Sequence, residues 1–461
     1  MSTAFPIIRK KGPLPNFIAT RNACKVCAPL GAALAIRGVE GALPYLHGSQ
    51  GCSTYMRRYI ISHFREPMDI AASNFSEASA VFGGIEVFSK GIANVTKSYK
   101  PSMIGIATTC LTETIGEDLK LLLSQVKTGE GAEKLPVLVP ISTPSYRGTH
   151  MEGFHAAVKA IVEKLACKDN AHARPLNLFP GMVSTADLRY LKEIVEDFGI
   201  ETALLPDYSE TMEGAVQDAY IKIPEGGTPI DVIRAMGSAW ASVEFGRTIQ
   251  TRETSATYLR DNFGVAAHRI GTPIGIHETD RFFEELEKIT RKSTPVKHSK
   301  ERGRLVDAYV DGHKYVFGKR AVVYGEEDLV VGLVSFLSEI GIEIVLAGSG
   351  GESGNLAASI ASVAPRLAGS VLVREGIDFM SMEETARELK PDFLIGSSKG
   401  MHMARHLEIP LVRAGFPIHD RIGGQRILHL GYRGAQQLFD LIVNTLLERK
   451  QNDSPIGYSY Q

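Results

Sequence analysis

Cys27, Cys52, Cys110 and Ser145 stand just before or just after apolar runs, each with a Gly, Pro or Thr within two residues to turn the backbone. Thiolates with an oxygen donor are soft ligands suited to iron-sulfur clusters or zinc. Their wide separation does not match the compact paired spacing of a zinc ribbon; it fits a cluster held by several loop ends of one α/β domain. Three cysteines are one short of the four usual for a simple cluster. The remaining ligands must then come from Ser145 or from another chain. The competing reading is a set of merely buried thiols, since free cysteine is among the most buried residue types. The pair Cys24-Lys-Val-Cys27 lacks the upstream strand that a redox dithiol of the thioredoxin kind requires. Cys24 is therefore read as a spare thiol and Cys167 as structural.

The elements that must position these residues alternate in type. Ala28 to Arg37 reads as a helix with Pro29 near its start and Gly38 at its close, which puts Cys27 at a helix N-terminus, where the helix dipole favours a thiolate. Ala42 to His47 reads as a strand, Gly48 to Cys52 as a glycine-rich turn, and the run through Tyr55, Ile60 and Phe64 as a helix. Ala80 to Tyr99 reads as a further helix. Met103 to Thr109 is a strand ending at Cys110, Val137 to Ile141 a strand ending at Ser145, and Met151 to Leu165 a helix. In parallel α/β sheets, ligands bind beyond the carboxyl ends of the strands, where such turns converge.

The alternation restarts over Leu176 to Arg291 and again from Arg320 to Gly396, with a linker expected around Lys292 to Lys300. Strands separated by helical stretches of roughly 10–15 residues indicate parallel sheets with crossover helices. The expected fold is α/β, with three Rossmann-like domains whose parallel sheets are flanked by helices. The boundaries expected are an arm over 1–20, a thiol-bearing domain over 21–170, further domains over 171–300 and 301–433, and a helix with its tail over 434–461.

With 51 basic and 52 acidic residues the formal net charge is -1, so no global field draws the chain to nucleic acid or an anionic membrane. No apolar run approaches the ~20 residues of a membrane span, and the N-terminus lacks the apolar core of a secretory signal. Five cysteines, an odd number, in such a chain argue for thiols kept reduced, and the expected location is cytoplasmic. Weaker candidates are Gly348 to Gly354, which lacks both the dinucleotide fingerprint and a Walker lysine and reads as a turn, and His47, His63, His268 and His277, which read as structural histidines.

His47-Gly-Ser-Gln-Gly-Cys52, then His63-Phe-Arg-Glu-Pro67, Val81-Phe-Gly-Gly84, Lys100-Pro101, Thr108-Thr-Cys110, Ile115-Gly-Glu-Asp118, Thr143-Pro-Ser145, Ala414-Gly-Phe-Pro-Ile-His-Asp-Arg421 and Leu430-Gly-Tyr432 follow one another in order along nearly the whole chain. This series resembles the β-type subunit of nitrogenase component 1. The resemblance implies pairing with a homologous α-type subunit, as an α2β2 heterotetramer, and an iron-sulfur cluster at the interface. In that family the β side supplies three cysteines to a P-cluster (8Fe-7S), and these match Cys27, Cys52 and Cys110; Ser145 matches the serine that can ligate the oxidised cluster. A separate ATP-dependent iron-sulfur reductase, a homodimer, would pass electrons one at a time.

The family also holds a β-like scaffold subunit for assembly of the iron-molybdenum cofactor, which commonly keeps the middle cysteine and lacks the first and third; a simpler 4Fe-4S cluster is the alternative cofactor. All three cysteines are present here, which favours a catalytic relay. The chain has no cysteine after Cys167, so the family's cysteine-and-histidine pocket for the active-site cofactor is expected in the partner. Pro206 to Glu210, Glu225 to Pro229, Gly275 to Phe282 and Gly423 to Ile427 depart from the conventional dinitrogen-reducing subunit. The expected role is thus the electron-relay subunit of a nitrogenase-like reductase acting on methylthio-alkanes or on dinitrogen.

Overall fold

The computed structural model describes residues 23–128, 132–146, 148–168, 174–367 and 369–456; the arm expected over 1–20 and the end of the tail, 457–461, lie outside them. Three parallel sheets follow in chain order. The first holds β1 (Ala42–His47), β2 (Ala71–Ala72), β3 (Met103–Thr108) and β4 (Val137–Ile141) in the order β2-β1-β3-β4. The second holds β5 (Leu176–Phe179), β6 (Thr202–Leu204), β7 (Ala241–Phe245) and β8 (Ala266–Ile270) in the order β6-β5-β7-β8. The third holds β9 (Arg320–Gly325), β10 (Glu343–Ser349), β11 (Leu372–Arg374), β12 (Phe393–Gly396) and β13 (Leu411–Arg413) in the order β11-β10-β9-β12-β13. Helices flank all three, as the expected α/β class requires. Among the described residues no helix is long and apolar enough to cross a membrane.

The strands are apolar runs without strict alternation, the pattern of sheets covered on both faces. All six residues of β1 and of β3 are buried. One hydrophobic core runs through all three units, joining Leu34 and Ala107 to Leu178 and Val243 and on to Val323 and Phe393.

Three local expectations are corrected. The stretch read as a linker, Lys292 to Lys300, is helical from Val296, within a helix that runs to Val316 behind Pro295 at its N-cap. The single helix over Ala80 to Tyr99 is two, Glu77–Phe82 and Ile85–Tyr99, because Gly83 at φ +94° ends the first. Strands β7 and β13 were not anticipated.

Two contacts set the frame of the thiol-bearing end. In the β1–β3 ladder His47 lies opposite Thr108, so the two strands end level and deliver the turns after them side by side. Helices Ala28–Arg37 and His150–Leu165 meet backbone to backbone: a Cβ on Gly31 would stand 1.7 Å from the His150 carbonyl oxygen, and one on Gly153 would stand 1.8 Å from that of Ala28. No side chain fits there. Gly153→Ala must prise the helices apart and is expected to destabilise the chain by about 1–3 kcal/mol, the cost of overpacking. A wild-type midpoint in denaturant unfolding would show that the crossing tolerates a side chain.

Candidate functional site

Cys27 is the N-cap of the helix Ala28–Arg37, in extended backbone geometry, with proline in the first turn. Its position is tied twice to the segment before the second helix of the crossing. The Ala28 N–H donates to Ser145 Oγ at 3.1 Å, and the His150 N–H donates to the Val26 carbonyl at 2.9 Å. The Ser145 N–H donates in turn to Cys110 Sγ at 3.3 Å. Cys52 sits in the first turn of the helix Gln50–Phe64, and the Ser49 hydroxyl donates to its Sγ at 3.6 Å. The thiols of Cys52 and Cys110 both act electrostatically on Cys27, and the Ser145 side chain hydrogen-bonds to it. The four residues singled out in the sequence therefore converge on one edge of the first sheet. Cys27 and Cys110 are exposed there and Cys52 is half-buried.

A polar lattice that the sequence did not disclose fixes this edge. Thr108 Oγ1 and Ser142 Oγ both donate to the Glu113 carboxylate at 2.5 Å. Thr143 donates its N–H to Thr108 Oγ1 at 2.8 Å and its hydroxyl to the Thr108 carbonyl at 2.6 Å. The end of β3 is thereby locked to the end of β4, which holds Cys110 against Ser145. Across the adjoining turn the Thr109 N–H donates to the His47 carbonyl at 3.2 Å. A Cβ on Gly48 would stand 2.3 Å from the Thr109 side chain, so glycine allows this approach.

The electrostatics differ from expectation at Cys27. Burial of the sulfur raises its pKa, the neighbouring Cys110 and Cys52 raise it further, and the Ser145 hydrogen bond and the Lys399 ammonium pull the other way. The residue as a whole is open, while the atoms packed around its sulfur desolvate it. Burial and crowding thus set the direction of the shift. Three thiolates brought this close repel one another, and bound metal cations remove that penalty. This donor set, soft and open on one side, fits a thiolate-held cluster. Among the described residues no group of three or more Cys, His, Asp or Glu is arranged to hold a single metal ion.

The other candidates have structural roles. Cys24 packs against the core of the third sheet, and burial pushes its thiol up to about 12 even though backbone N–H groups and Lys399 favour its thiolate. Cys167 is exposed and donates to the Arg234 carbonyl at 3.6 Å. His47 bridges Ser73 and Glu117, and burial lowers its basicity. His63 accepts from the Ile418 N–H at 3.0 Å, and burial pushes it down to about 3. His268 and His277 face Glu285 and Glu339. The glycine-rich loop after β10 is a turn whose amides are spent on carboxylates: Ser353 N–H on Glu327, and Gly354 and Leu356 N–H on Glu375.

Residues 27–447 match the family described as nitrogenase component 1 type oxidoreductase. The chain is 33% identical to the nitrogenase molybdenum-iron protein beta chain of Clostridium pasteurianum, over 94% of each protein. It is likewise 33% identical to that of Azotobacter vinelandii, over 94% of this chain and 86% of the relative. A solved structure described as nitrogenase Cp1 at pH 6.5 superposes with a TM-score of 0.93 at 31% identity, covering 98% of both chains. A chain of nitrogenase Cp1 at pH 5, 15% identical with a TM-score of 0.70, shares the fold.

Thiol reactivity separates the half-buried Cys24 from the exposed Cys167. Iodoacetamide applied to the folded chain should label Cys167 and leave Cys24 unlabelled, because a pKa of about 12 in place of 9.0 lowers the thiolate fraction about a thousandfold. Peptide mass spectrometry over time reads both sites, and comparable rates would contradict the burial of Cys24.

Proposed function

The chain belongs to the nitrogenase component 1 type oxidoreductase family, and from that premise we propose that it is a β-type electron-relay subunit of a two-component reductase. The observation that carries this reading is the convergence of Cys27, Cys52 and Cys110 on one open edge, with Ser145 linking the first to the third. One chain offers three thiolates where even a simple 4Fe-4S cluster takes four. A homologous α-type partner, in an α2β2 assembly, must complete the set. The residues suit a P-cluster-type (8Fe-7S) centre shared across that interface.

Cys27, Cys52 and Cys110 would hold the iron, and Ser145 is placed to offer an oxygen beside Cys27 and Cys110. Such a cluster supplies a store for electrons delivered singly by an ATP-dependent iron-sulfur reductase and passed to a cofactor in the partner. The protein's part is to orient and to damp charge. The Ser49 hydroxyl and the Ser145 amide donate to sulfur, which stabilises thiolates and tunes a cluster's potential. The Thr108–Glu113–Ser142 lattice keeps the strand ends from spreading. The substrate is a small molecule reduced in the partner, with methylthio-alkanes and dinitrogen as the two arms of the assay; the molybdenum-iron beta chains among the relatives stand on the dinitrogen side.

The test is anaerobic purification with the partner chain, then iron analysis and turnover with the reductase. Cys52→Ala and Cys110→Ala are each expected to lower iron content and to abolish reductase-dependent turnover. Normal iron and activity in both variants would overturn the relay reading. A complex that reduces neither substrate but passes its cluster to an apo-protein would replace it with an assembly scaffold.

A further inference from the structure

Among the described residues no carboxylate pairs with Lys399. It lies in the short turn Ser398–Gly400 after β12, at the third sheet's carboxyl end, pointing toward the thiol-bearing unit. The turn is pinned: the Ser398 N–H and hydroxyl donate to the Pro417 carbonyl at 2.9 and 3.1 Å, and the Tyr324 hydroxyl donates to the Ser397 carbonyl at 2.7 Å. A side chain on Gly400 would collide with the Tyr324 hydroxyl at 2.0 Å. From this rigid base the half-buried side chain reaches across the junction. Its Nζ donates to the Ala23 carbonyl at 3.3 Å and stands 5.5 Å from the ring centroid of Tyr59, on the helix that carries Cys52.

Moving an ammonium away from water is costly unless an anion compensates. Among the described residues the groups that favour its charged form electrostatically are the thiols of Cys24 and Cys27. Cys24 packs half-buried against the core of the third sheet and is not one of the converging thiols. That leaves Cys27. The carbonyl hydrogen bond and the aromatic face both favour the ammonium form. Burial acts against it, and the Cys27 thiol acts in its favour.

We propose that Lys399 is the fixed counter-cation of the thiolate edge, a positioning residue that holds positive charge beside Cys27 and so raises the reduction potential of the cluster bound there. This rests on the cluster reading above and assigns the charge control of that site to a residue from the third unit. An electron entering a cluster adds negative charge, which a fixed cation within Coulombic reach stabilises. Removing the cation disfavours the reduced state.

The experiment uses the anaerobically purified complex of the full chain with its partner, as wild type, Lys399→Gln and Lys399→Arg. Midpoint potentials are read by mediator-controlled titration followed by electron paramagnetic resonance, with iron measured on each sample. Lys399→Gln should keep its iron and disfavour reduction about tenfold, ~59 mV lower for a one-electron couple. Lys399→Arg should restore the wild-type potential. A wild-type potential in Lys399→Gln at full iron content overturns the inference alone. Loss of iron in Lys399→Gln that Lys399→Arg also shows makes the residue a structural pin on Ala23 and overturns it as well. A wild-type complex without iron overturns the cluster reading, and this inference with it.

Discussion

The site depends on a backbone contact that no side chain mediates. Gly31 and Gly153 let the helices Ala28–Arg37 and His150–Leu165 touch, each glycine lying against a carbonyl of the other helix. Val26 and Ala28 are thereby brought within hydrogen-bonding distance of His150 and Ser145. Cys27 stands between those two tethers and has no freedom to drift from Ser145. Because close-packed interiors transmit displacement rather than absorb it, the backbone contact of the two helices fixes Cys27 relative to Ser145. A ligand set for a polynuclear centre needs that kind of fixed reference, since thiol side chains alone have rotamers to spare.

The first sheet would leave those thiols mutually repelling and partly desolvated, and the rest of the molecule answers this with dipoles and one charge. The Ser49 hydroxyl and Ser145 amide donate to sulfur, while Glu113 and Glu117 are spent on Thr108, Ser142, Gly84 and His47. Those carboxylates shape the turns and are satisfied there. The third unit contributes Lys399 from a turn it holds rigid. The shared core makes this possible: one apolar cluster running through all three sheets keeps the units in a single relative placement.

The strand ends and their thiols were legible because each is a short apolar run closed by a turn residue, a purely local signal. The α/β class followed from the repetition of that signal. What stayed hidden depends on partners far away in sequence. Strand β7, Ala-Ser-Val-Glu-Phe, carries Ser242 and Glu244 fully inside, where Asn177 meets one at 3.1 Å and Thr254 the other at 2.5 Å. From sequence, buried polar residues of that kind look like a loop. Lys292 to Lys300 read as a linker from its charge, yet Lys297 pairs with Asp197 and His298 is buried between Asp197 and Glu301. Lys399 gave no sign at all, since Ala23 and Tyr59 lie more than 300 positions away.

The four segments read from the sequence as departures from the conventional dinitrogen-reducing subunit lie where the units meet. Asp207 and Thr228 each donate an N–H to the Gly38 carbonyl, at 3.0 and 2.8 Å, closing the second unit against the end of the first helix. Ile276 and His277 donate theirs to Glu339, joining the second unit to the third. The Gln425 carbonyl accepts from Thr185, and Arg426 pairs with Glu213. These contacts stitch units together, and those segments supply no donor to the thiol edge. At 31% identity the chain keeps the fold of nitrogenase Cp1 at pH 6.5, with a TM-score of 0.93. These four segments therefore act in joining the units. In the proposed assembly substrate choice falls to the partner's pocket and to the potential at which electrons arrive, and the second of these is the quantity that a charge beside Cys27 controls.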